Sequence, residues 1–183
     1  IYFTGHSIGG QIIGLAPSSG ILDKIILVAA SAPYWRRWPF PANYKMLVAS
    51  RLLFPLVSAL TTRFPTRPFG LGNIDVPASA AGHWAAWMTS PDYLFDEKFG
   101  LDTTGYEVLT APLLSLGFAD DTLAPQENIS HLLKFFPNAD KSLHRIHPED
   151  GNGHSIGHTG FFRKKFKTSL WNRAVDWIET GIF

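Results

Sequence analysis

Apolar residues along the chain follow two patterns, which predict two kinds of element. Short apolar runs rich in β-branched residues, the longer of which suit strands buried on both faces of a parallel sheet, occur at 1–3, 24–30, 112–119 and 142–146. Apolar residues at helical spacing, or bounded by helix-stop residues, occur at 11–16, 126–136 and 168–180. The order of these segments is strand, helix, strand, a long middle region, strand, helix, strand, helix.

This order predicts an α/β fold with a doubly wound, mostly parallel sheet. The middle region differs from the rest, because residues 33–110 are rich in Trp, Phe, Pro and Gly and show no clear strand alternation. Within it, 44–60 is apolar enough for a helix bent at Pro55. We therefore expect a core made of residues 1–32 and 111–183, with 33–110 as an inserted helical cap.

Composition narrows the class of protein. The chain has 183 residues, of which 45% are hydrophobic and 17% charged, so a disordered or fibrous protein is excluded. The net charge of +1 favours neither nucleic acid nor an anionic surface as a partner. No cysteine is present, which removes disulfides and thiolate chemistry. The longest uncharged apolar stretch, 52–62, is too short to span a membrane. We expect a cytoplasmic protein.

The first residue, Ile1, already lies inside a strand-like run. We therefore expect that the sequence begins within a longer protein. On that expectation, the absence of a signal peptide before Ile1 carries no information about export.

The segment Gly5-His6-Ser7-Ile8-Gly9 has the pattern G-x-S-x-G between a predicted strand and a predicted helix. A serine on such a tight turn is presented at the start of a helix, and glycines two residues before and after it leave room for the neighbouring chain. The backbone N–H of Ile8 could then donate to a developing oxyanion. The alternative is a glycine-rich turn in which Ser7 is only the N-cap of the helix.

A serine nucleophile needs a base and an acid that orients the base. Asp120 and Asp121 follow the strand candidate 112–119, where the end of a strand would present them in a ligand crevice. Asp121 is favoured as the acid because Asp121 to Pro125 has the spacing D-x-x-x-P before the next helix. Asp120 is the alternative, and the pair could also serve only to turn the chain.

His158 is the favoured base, since it lies after the last strand candidate and before the last helix. His154 is the nearest alternative. The order Ser7, Asp121, His158 matches one known order of a catalytic triad. The histidines His144, His147, His154 and His158 also invite a metal interpretation. No H-E-x-x-H helix accompanies them, so we expect no metal and no cofactor.

Three motifs together resemble the α/β-hydrolase superfamily: GHSIGG at 5–10, ADDTLAP at 119–125 and IGHTGFFR at 156–163. The last is similar to a segment of bacterial predicted α/β hydrolases near the serine-aminopeptidase-like esterases and lipases. The resemblance covers nearly the whole chain but only the C-terminal part of the fold. It implies that Ser7 is the nucleophile, His158 the general base and then acid, Asp121 its orienting partner, and 33–110 the cap.

Two departures from the family pattern affect these expectations. Many relatives have glycine three residues before the acid, whereas here Phe118 holds that position and Gly117 comes one residue earlier. The family's earlier strands, and the loop that gives the second oxyanion-hole N–H, would precede Ile1. We therefore expect one edge of the sheet to be exposed and apolar, and the chain alone to fold poorly or lack full activity.

The resulting hypothesis is a serine hydrolase that cleaves an ester or related acyl bond through an acyl-enzyme. Aromatic residues of the cap suggest an apolar or aromatic acyl substrate, with His6, Trp35 and Trp38 as candidate substrate-binding residues. An acyltransferase that uses the same triad and a non-catalytic binding protein of the same fold are the alternatives.

Overall fold

The structure is a computed structural model that describes residues 1–72 and 74–183. The contacts among these residues divide the chain into two compact units. The first unit joins Ile1–Ser31 to Leu101–Phe183, and the second is Ala32–Gly100.

The first unit is built on a four-stranded sheet. Its strands are β1 (Tyr2–His6), β2 (Lys24–Val28), β5 (Leu113–Phe118) and β6 (Lys141–Ile146). They lie side by side in the order β1-β2-β5-β6, and every neighbouring pair is parallel. All four strands therefore end at the same edge of the sheet, where a parallel α/β sheet holds its ligands.

Short helices connect these strands. The α-helices are α1 (Ile8–Gln11), α5 (Gln126–Leu132), α6 (Gly157–Gly160) and α7 (Asn172–Thr180). Turns of 3₁₀-helix lie at Ile13–Leu15, Ser19–Ile21, Thr104–Tyr106, Leu133–Phe135, Pro148–Gly151 and Lys164–Phe166. A π-turn, Lys167–Trp171, leads directly into α7.

Helices cover both faces of this sheet, as the alternation of side chains along β2 shows. Ile26 and Val28 belong to a buried cluster that also holds Trp177 of α7. Leu27 points to the opposite face, where Gly10 of α1 closely approaches its side chain. The central strands β2 and β5 are therefore buried on both sides, which explains their continuous apolar runs.

Most predicted elements are present with shifted bounds. The helix expected at 11–16 begins earlier, at Ile8, and continues after Gln11 only as a 3₁₀ turn. β1 is an edge strand, and its Tyr2 is 62% exposed. Phe118 is buried in the cluster that also holds Trp177 of α7, and a Cβ on Gly117 would lie 2.7 Å from the side chain of Ile129 of α5.

The boundary between the two units differs from the expected one. Residues 101–110, which we assigned to the insertion, contact the first unit. The reason is Tyr106, which is 1% exposed and packs edge-on against Phe136 at 5.2 Å. Its hydroxyl donates a hydrogen bond to the carbonyl of Gln11, and its ring fills the space beside Gly14. This large buried side chain fixes the segment to the core.

The second unit is mainly helical. Its α-helices are α2 (Ala42–Val48), α3 (Phe54–Leu60) and α4 (Ala78–Trp87), and a π-turn, Ala49–Leu53, joins the first two. Two short antiparallel strands, β3 (Arg63–Phe64) and β4 (Val76–Pro77), precede α4. Further 3₁₀ turns are Trp35–Arg37, Arg67–Phe69, Tyr93–Phe95 and Glu97–Phe99. The two-residue strands were not visible in the sequence pattern.

Aromatic side chains form the core of the second unit around Phe54. Its ring meets Phe64 edge-on at 4.8 Å and stacks on Trp84 at 5.6 Å. The helix predicted at 44–60 is present as α2, the π-turn and α3, and Pro55 is the second residue of α3. Since a proline lacks the N–H that closes an α-helical turn, a wider turn at this point accommodates Pro55. Among the described residues, no helix is both long and apolar enough to cross a membrane.

We expect Tyr106→Ala to lower the free energy of unfolding of the first unit by about 3–5 kcal/mol, because it leaves a cavity where a large ring is buried. Urea unfolding followed by circular dichroism measures this. Tyr2→Ala is the matched control, since the ring of Tyr2 is exposed in the same unit. Equal stabilities of the two variants would contradict the assignment of residues 101–110 to this core.

Candidate active site

Ser7 lies on a strained turn between β1 and α1. Its backbone angles are φ 50° and ψ −124°, a combination that a residue with a side chain rarely adopts and that costs about 1–3 kcal/mol. Hydrogen bonds on both sides hold the turn. The N–H of Ser7 donates to the carbonyl of Val28 at 2.9 Å, and the N–H groups of Gly10 and Gln11 donate to the carbonyl of Ser7.

Close contact between Gly5 and Gly10 makes this turn possible. A Cβ on Gly5 would lie 2.6 Å from the Cα of Gly10, and a Cβ on Gly10 would lie 2.8 Å from the Cβ of Ala30. Gly9 differs, because a Cβ there would meet no atom within 4 Å. The expectation that both glycines of the G-x-S-x-G pattern give room is therefore wrong for the second. The neighbouring Gly10 has that role.

Ser7, His158 and Asp121 form a continuous chain of hydrogen bonds. The Oγ of Ser7 lies 2.9 Å from Nε2 of His158, and Nδ1 of His158 lies 2.8 Å from Oδ2 of Asp121. Since a carboxylate can only accept, Nδ1 carries the proton and Nε2 of the neutral ring accepts from the Ser7 hydroxyl. The side chain of Asp121 is 0% exposed and that of His158 12% exposed, so the chain is shielded from water.

The second oxygen of Asp121 is also engaged. Oδ1 accepts hydrogen bonds from the N–H of Leu123 at 2.8 Å and of Ala124 at 3.2 Å. These contacts close a tight turn after β5 and fix the carboxylate in one orientation. The carboxylate that contacts His158 therefore accepts hydrogen bonds on both of its oxygens. It belongs to Asp121 and not to Asp120.

Asp120 points to a different part of the same loop. Its carboxylate accepts hydrogen bonds from the Ser155 hydroxyl at 2.7 Å, the Ile156 N–H at 2.8 Å and the Gly157 N–H at 3.0 Å. Burial by itself would raise the pKa of Asp120, but these three donors hold its pKa below the usual value. Asp120 is therefore ionised at neutral pH.

His6, a candidate substrate-binding residue, contacts the His158 loop. Its Nε2 lies 2.7 Å from the carbonyl oxygen of His158, to which it donates. Its ring lies 5.0 Å from the His158 ring and meets Phe162 edge-on at 5.2 Å. Burial lowers the pKa of His6, and the hydrogen bond to His158 only partly opposes that effect. His6 is therefore neutral at pH 7.

Ile8 begins α1 directly after Ser7. The first N–H groups of a helix have no acceptor within it, so the N–H groups of Ile8 and Gly9 lack an intrahelical partner. The residue directly after Ser7 thus carries a backbone donor that has no acceptor within its own helix. The expected role of the Ile8 N–H toward an oxyanion stays a prediction.

Trp35 and Trp38, the other candidate substrate-binding residues, belong to the second unit. Trp35 is partly buried, and the guanidinium of Arg36 lies 5.0 Å from its ring centre. Trp38 is 5% exposed. Contact of either residue with a substrate stays a prediction.

The remaining histidines of the predicted cluster are dispersed. The ring of His144 packs against Phe183 at 4.9 Å, and the ring of His154 lies 6.5 Å from Phe166. The N–H of His147 donates to Asp150 at 2.8 Å. In the part of the chain that the structure describes, no three His, Asp or Glu side chains are grouped as metal ligands would be.

Sequence reasoning missed the contacts of Asp120 and His6 with the His158 loop. Asp120 and Gly157 are 37 residues apart, and His6 and His158 are 152 apart. No periodicity links residues at such distances. The available signal was only their position, since each directly precedes a predicted triad member.

We expect Gly10→Ala to lower the free energy of unfolding by about 1–3 kcal/mol, because the added methyl group meets backbone and Ala30 atoms that cannot move away. Gly9→Ala is the matched control at the neighbouring helical position. It should leave stability unchanged or raise it by up to about 1 kcal/mol, as alanine favours helix. Urea unfolding of both variants tests this, and the reverse order would contradict the observed packing.

Comparisons with known proteins bear on the fold alone. No family model matches this chain, and no curated protein matches it in sequence. Solved structures do match. A monoglyceride lipase from Saccharomyces cerevisiae, solved as a soluble variant with a substrate analogue, is 14% identical with a TM-score of 0.60; the match covers 97% of this chain and 64% of that one.

Two further structures are similar. A monoacylglycerol lipase from Paleococcus ferrophilus is 15% identical with a TM-score of 0.51, over 97% of this chain and 67% of that one. A hydrolase from Oleispira antarctica is 15% identical with a TM-score of 0.50, over 98% of this chain and 65% of that one. The chain thus spans about two thirds of the length of these structures. The parallel sheet, its flanking helices and these similarities show that the chain has the α/β-hydrolase fold.

Proposed function

We propose that this protein is a serine hydrolase that cleaves an ester or related acyl bond through an acyl-enzyme intermediate. The single observation that carries this function is the unbroken hydrogen-bond chain from Ser7 through His158 to the buried Asp121. A serine, an imidazole and a carboxylate in this arrangement make a hydroxyl into a nucleophile at neutral pH.

In the first step, the Oγ of Ser7 attacks the acyl carbon while Nε2 of His158 takes the hydroxyl proton. The ring then carries a positive charge, which the carboxylate of Asp121 stabilises through Nδ1. The tetrahedral intermediate collapses when His158 gives its proton to the leaving oxygen. An alcohol departs, and the acyl group remains on Ser7.

In the second step, a water molecule takes the place of the alcohol. Nε2 of His158 removes a proton from the water, whose oxygen attacks the acyl carbon of the ester on Ser7. The proton then returns from His158 to the Oγ of Ser7, and the carboxylic acid is released. Every bond formed at the acyl carbon is matched by one broken, and the proposed cycle uses only water and the side chains of the site.

Negative charge develops on the substrate oxygen in both steps. The N–H of Ile8, at the start of α1, is the donor that we propose for this oxyanion, because a helix start carries backbone N–H groups without intrahelical acceptors. A fixed donor of this kind is typically worth 10²–10³-fold in rate, by a general estimate of about 3 kcal/mol. The strained angles of Ser7 bring Oγ and this N–H to the same turn.

An apolar acyl group is the proposed substrate class. The second unit exposes apolar side chains along its longest helical run, at Tyr44, Val48, Leu52, Leu56 and Leu60. Exposed apolar side chains in such a row are typical of a surface that binds an apolar ligand. Two of the structurally similar proteins are named as monoglyceride lipases, which supports a lipase-like or carboxylesterase-like activity. A cap role of the second unit is part of the same proposal.

We expect the protein to hydrolyse p-nitrophenyl esters and to react covalently with a fluorophosphonate probe. Ser7→Ala should abolish labelling and lower kcat/KM by about 10⁴-fold or more, because it removes the hydroxyl that contacts the imidazole of His158. Ser18→Ala, an exposed serine of the same unit, is the control and should change neither. A wild-type protein that is folded but not labelled would overturn the proposal and favour a non-catalytic binding protein.

The assignment of the acid can be tested separately. Asp121→Asn should lower kcat by about 10³–10⁴-fold, since an amide can no longer hold the proton on Nδ1 of His158. Mass spectrometry of the probe-labelled protein and steady-state kinetics with the same esters measure this. An Asp121→Asn variant with nearly full activity would exclude this carboxylate from the mechanism.

A further inference from the structure

The loop that carries His158 has little stable structure of its own. It is rich in glycine, and Asn152, Gly153 and Gly157 have φ values of 59°, 75° and 59°. His158 lies on α6, which has only four residues. A single helical turn is not stable by itself, because it costs more conformational entropy than its few hydrogen bonds return. The position of the His158 ring therefore depends on contacts from elsewhere in the fold.

Asp120 contacts the main chain directly before His158. Its Oδ2 accepts from the N–H of Ile156, and its Oδ1 accepts from the N–H of Gly157. The hydroxyl of Ser155 donates to the same carboxylate. Three donors from three consecutive residues fix the direction in which the chain enters α6, and all three bonds are strengthened by the negative charge of the acceptor.

His6 contacts the main chain at His158 itself. Its Nε2–H donates to the carbonyl oxygen of His158, so the loop is held on the other side of the catalytic ring. Phe162 packs edge-on against His6 and limits the rotation of the imidazole. Neither Nε2 of His6 nor the carboxylate of Asp120 touches the reacting atoms of the proposed site.

We propose that Asp120 and His6 are positioning residues that hold the backbone of His158 from two sides, so that its ring stays aligned between Asp121 and Ser7. This inference rests on the proposed serine hydrolase function. Each positioning residue directly precedes a residue that contacts the ring: Asp120 precedes Asp121, and His6 precedes Ser7. The residue before the acid and the residue before the nucleophile therefore each form hydrogen bonds with the backbone of the loop that carries His158.

The consequence of this pairing is geometric. A shift of the turn after β5 moves the acid and its backbone contact together, and a shift of the turn after β1 does the same for the nucleophile. The loop therefore follows the two strands, and both hydrogen bonds of the ring keep their length. A misplacement of about 1 Å in such a site can lower a rate by about 10²-fold.

The test for Asp120 is Asp120→Asn, with Asp102→Asn as the matched control. Asp102 likewise accepts hydrogen bonds from its own loop, from the N–H and the hydroxyl of Thr104, and it lies in the same unit. We expect Asp120→Asn to lower kcat for a p-nitrophenyl ester about 10–100-fold at nearly constant KM. The rate of fluorophosphonate labelling should fall in parallel. Asp102→Asn should leave both rates within about twofold of wild type.

Ser155→Ala keeps the proposal testable if Asp120→Asn fails to fold. It removes one of the three donors and leaves the carboxylate and both backbone contacts in place. We expect kcat to fall a few-fold at constant KM. A Ser155→Ala variant with wild-type kcat, together with an Asp120→Asn variant that matches Asp102→Asn or does not fold, would overturn the role of Asp120.

The test for His6 separates positioning from substrate binding. His6→Leu removes the donor, whereas His6→Gln keeps an N–H that can reach the His158 carbonyl. We expect His6→Leu to lower kcat about 10–100-fold and His6→Gln to recover most of it, with little change in KM. A change confined to KM in both variants would instead indicate that His6 contacts the substrate.

The outcomes also separate this inference from the proposed function. If Ser7→Ala keeps activity and labelling, the serine hydrolase itself is refuted. If Ser7→Ala is inactive while the Asp120 and His6 variants keep the kcat of the wild type, the function stands and the positioning roles are refuted.

Discussion

The candidate site depends on one constraint: four parallel strands that all end at the same edge of one sheet. Parallel strands point the same way, so the residues that follow them lie together although they are far apart in the chain. Ser7 follows β1, Asp121 follows β5, and the loop with His158 follows β6. Hydrogen bonds of 2.9 Å between Ser7 and His158 and of 2.8 Å between His158 and Asp121 then join these three side chains.

Local strain is concentrated where the chemistry is proposed. Ser7 is held at a positive φ by the hydrogen bond of its N–H to Val28 and by the contact between Gly5 and Gly10. Such strain persists only if the surrounding structure is rigid. Here the rigid part is the buried strand β2, which pairs with β1 and against which α1 packs. The turn costs stability and presents the serine hydroxyl to the imidazole.

The two adjacent aspartates, Asp120 and Asp121, form hydrogen bonds with different parts of the His158 loop. Asp121 is buried and binds the imidazole, while both of its oxygens are engaged. Asp120 is partly exposed and binds three donors of the loop. Asp121 thus reaches the ring of His158, and Asp120 reaches the backbone that carries this ring. At the end of β1, Ser7 likewise contacts the ring of His158, and His6 contacts its backbone carbonyl.

The sequence by itself determined the elements and the order of the site residues. Continuous apolar runs predict buried parallel strands because such strands have no polar face, and the G-x-S-x-G pattern marks a tight turn because only glycine allows that close approach. Tertiary structure alone decided the rest. It brought Asp121, and not Asp120, into contact with the His158 ring, and it placed residues 101–110 in the first unit through Tyr106. It also gave Gly10 the close contact expected of Gly9, and it joined Asp120 and His6 to the His158 loop. These are contacts between residues distant in the chain, and no local pattern encodes such distances.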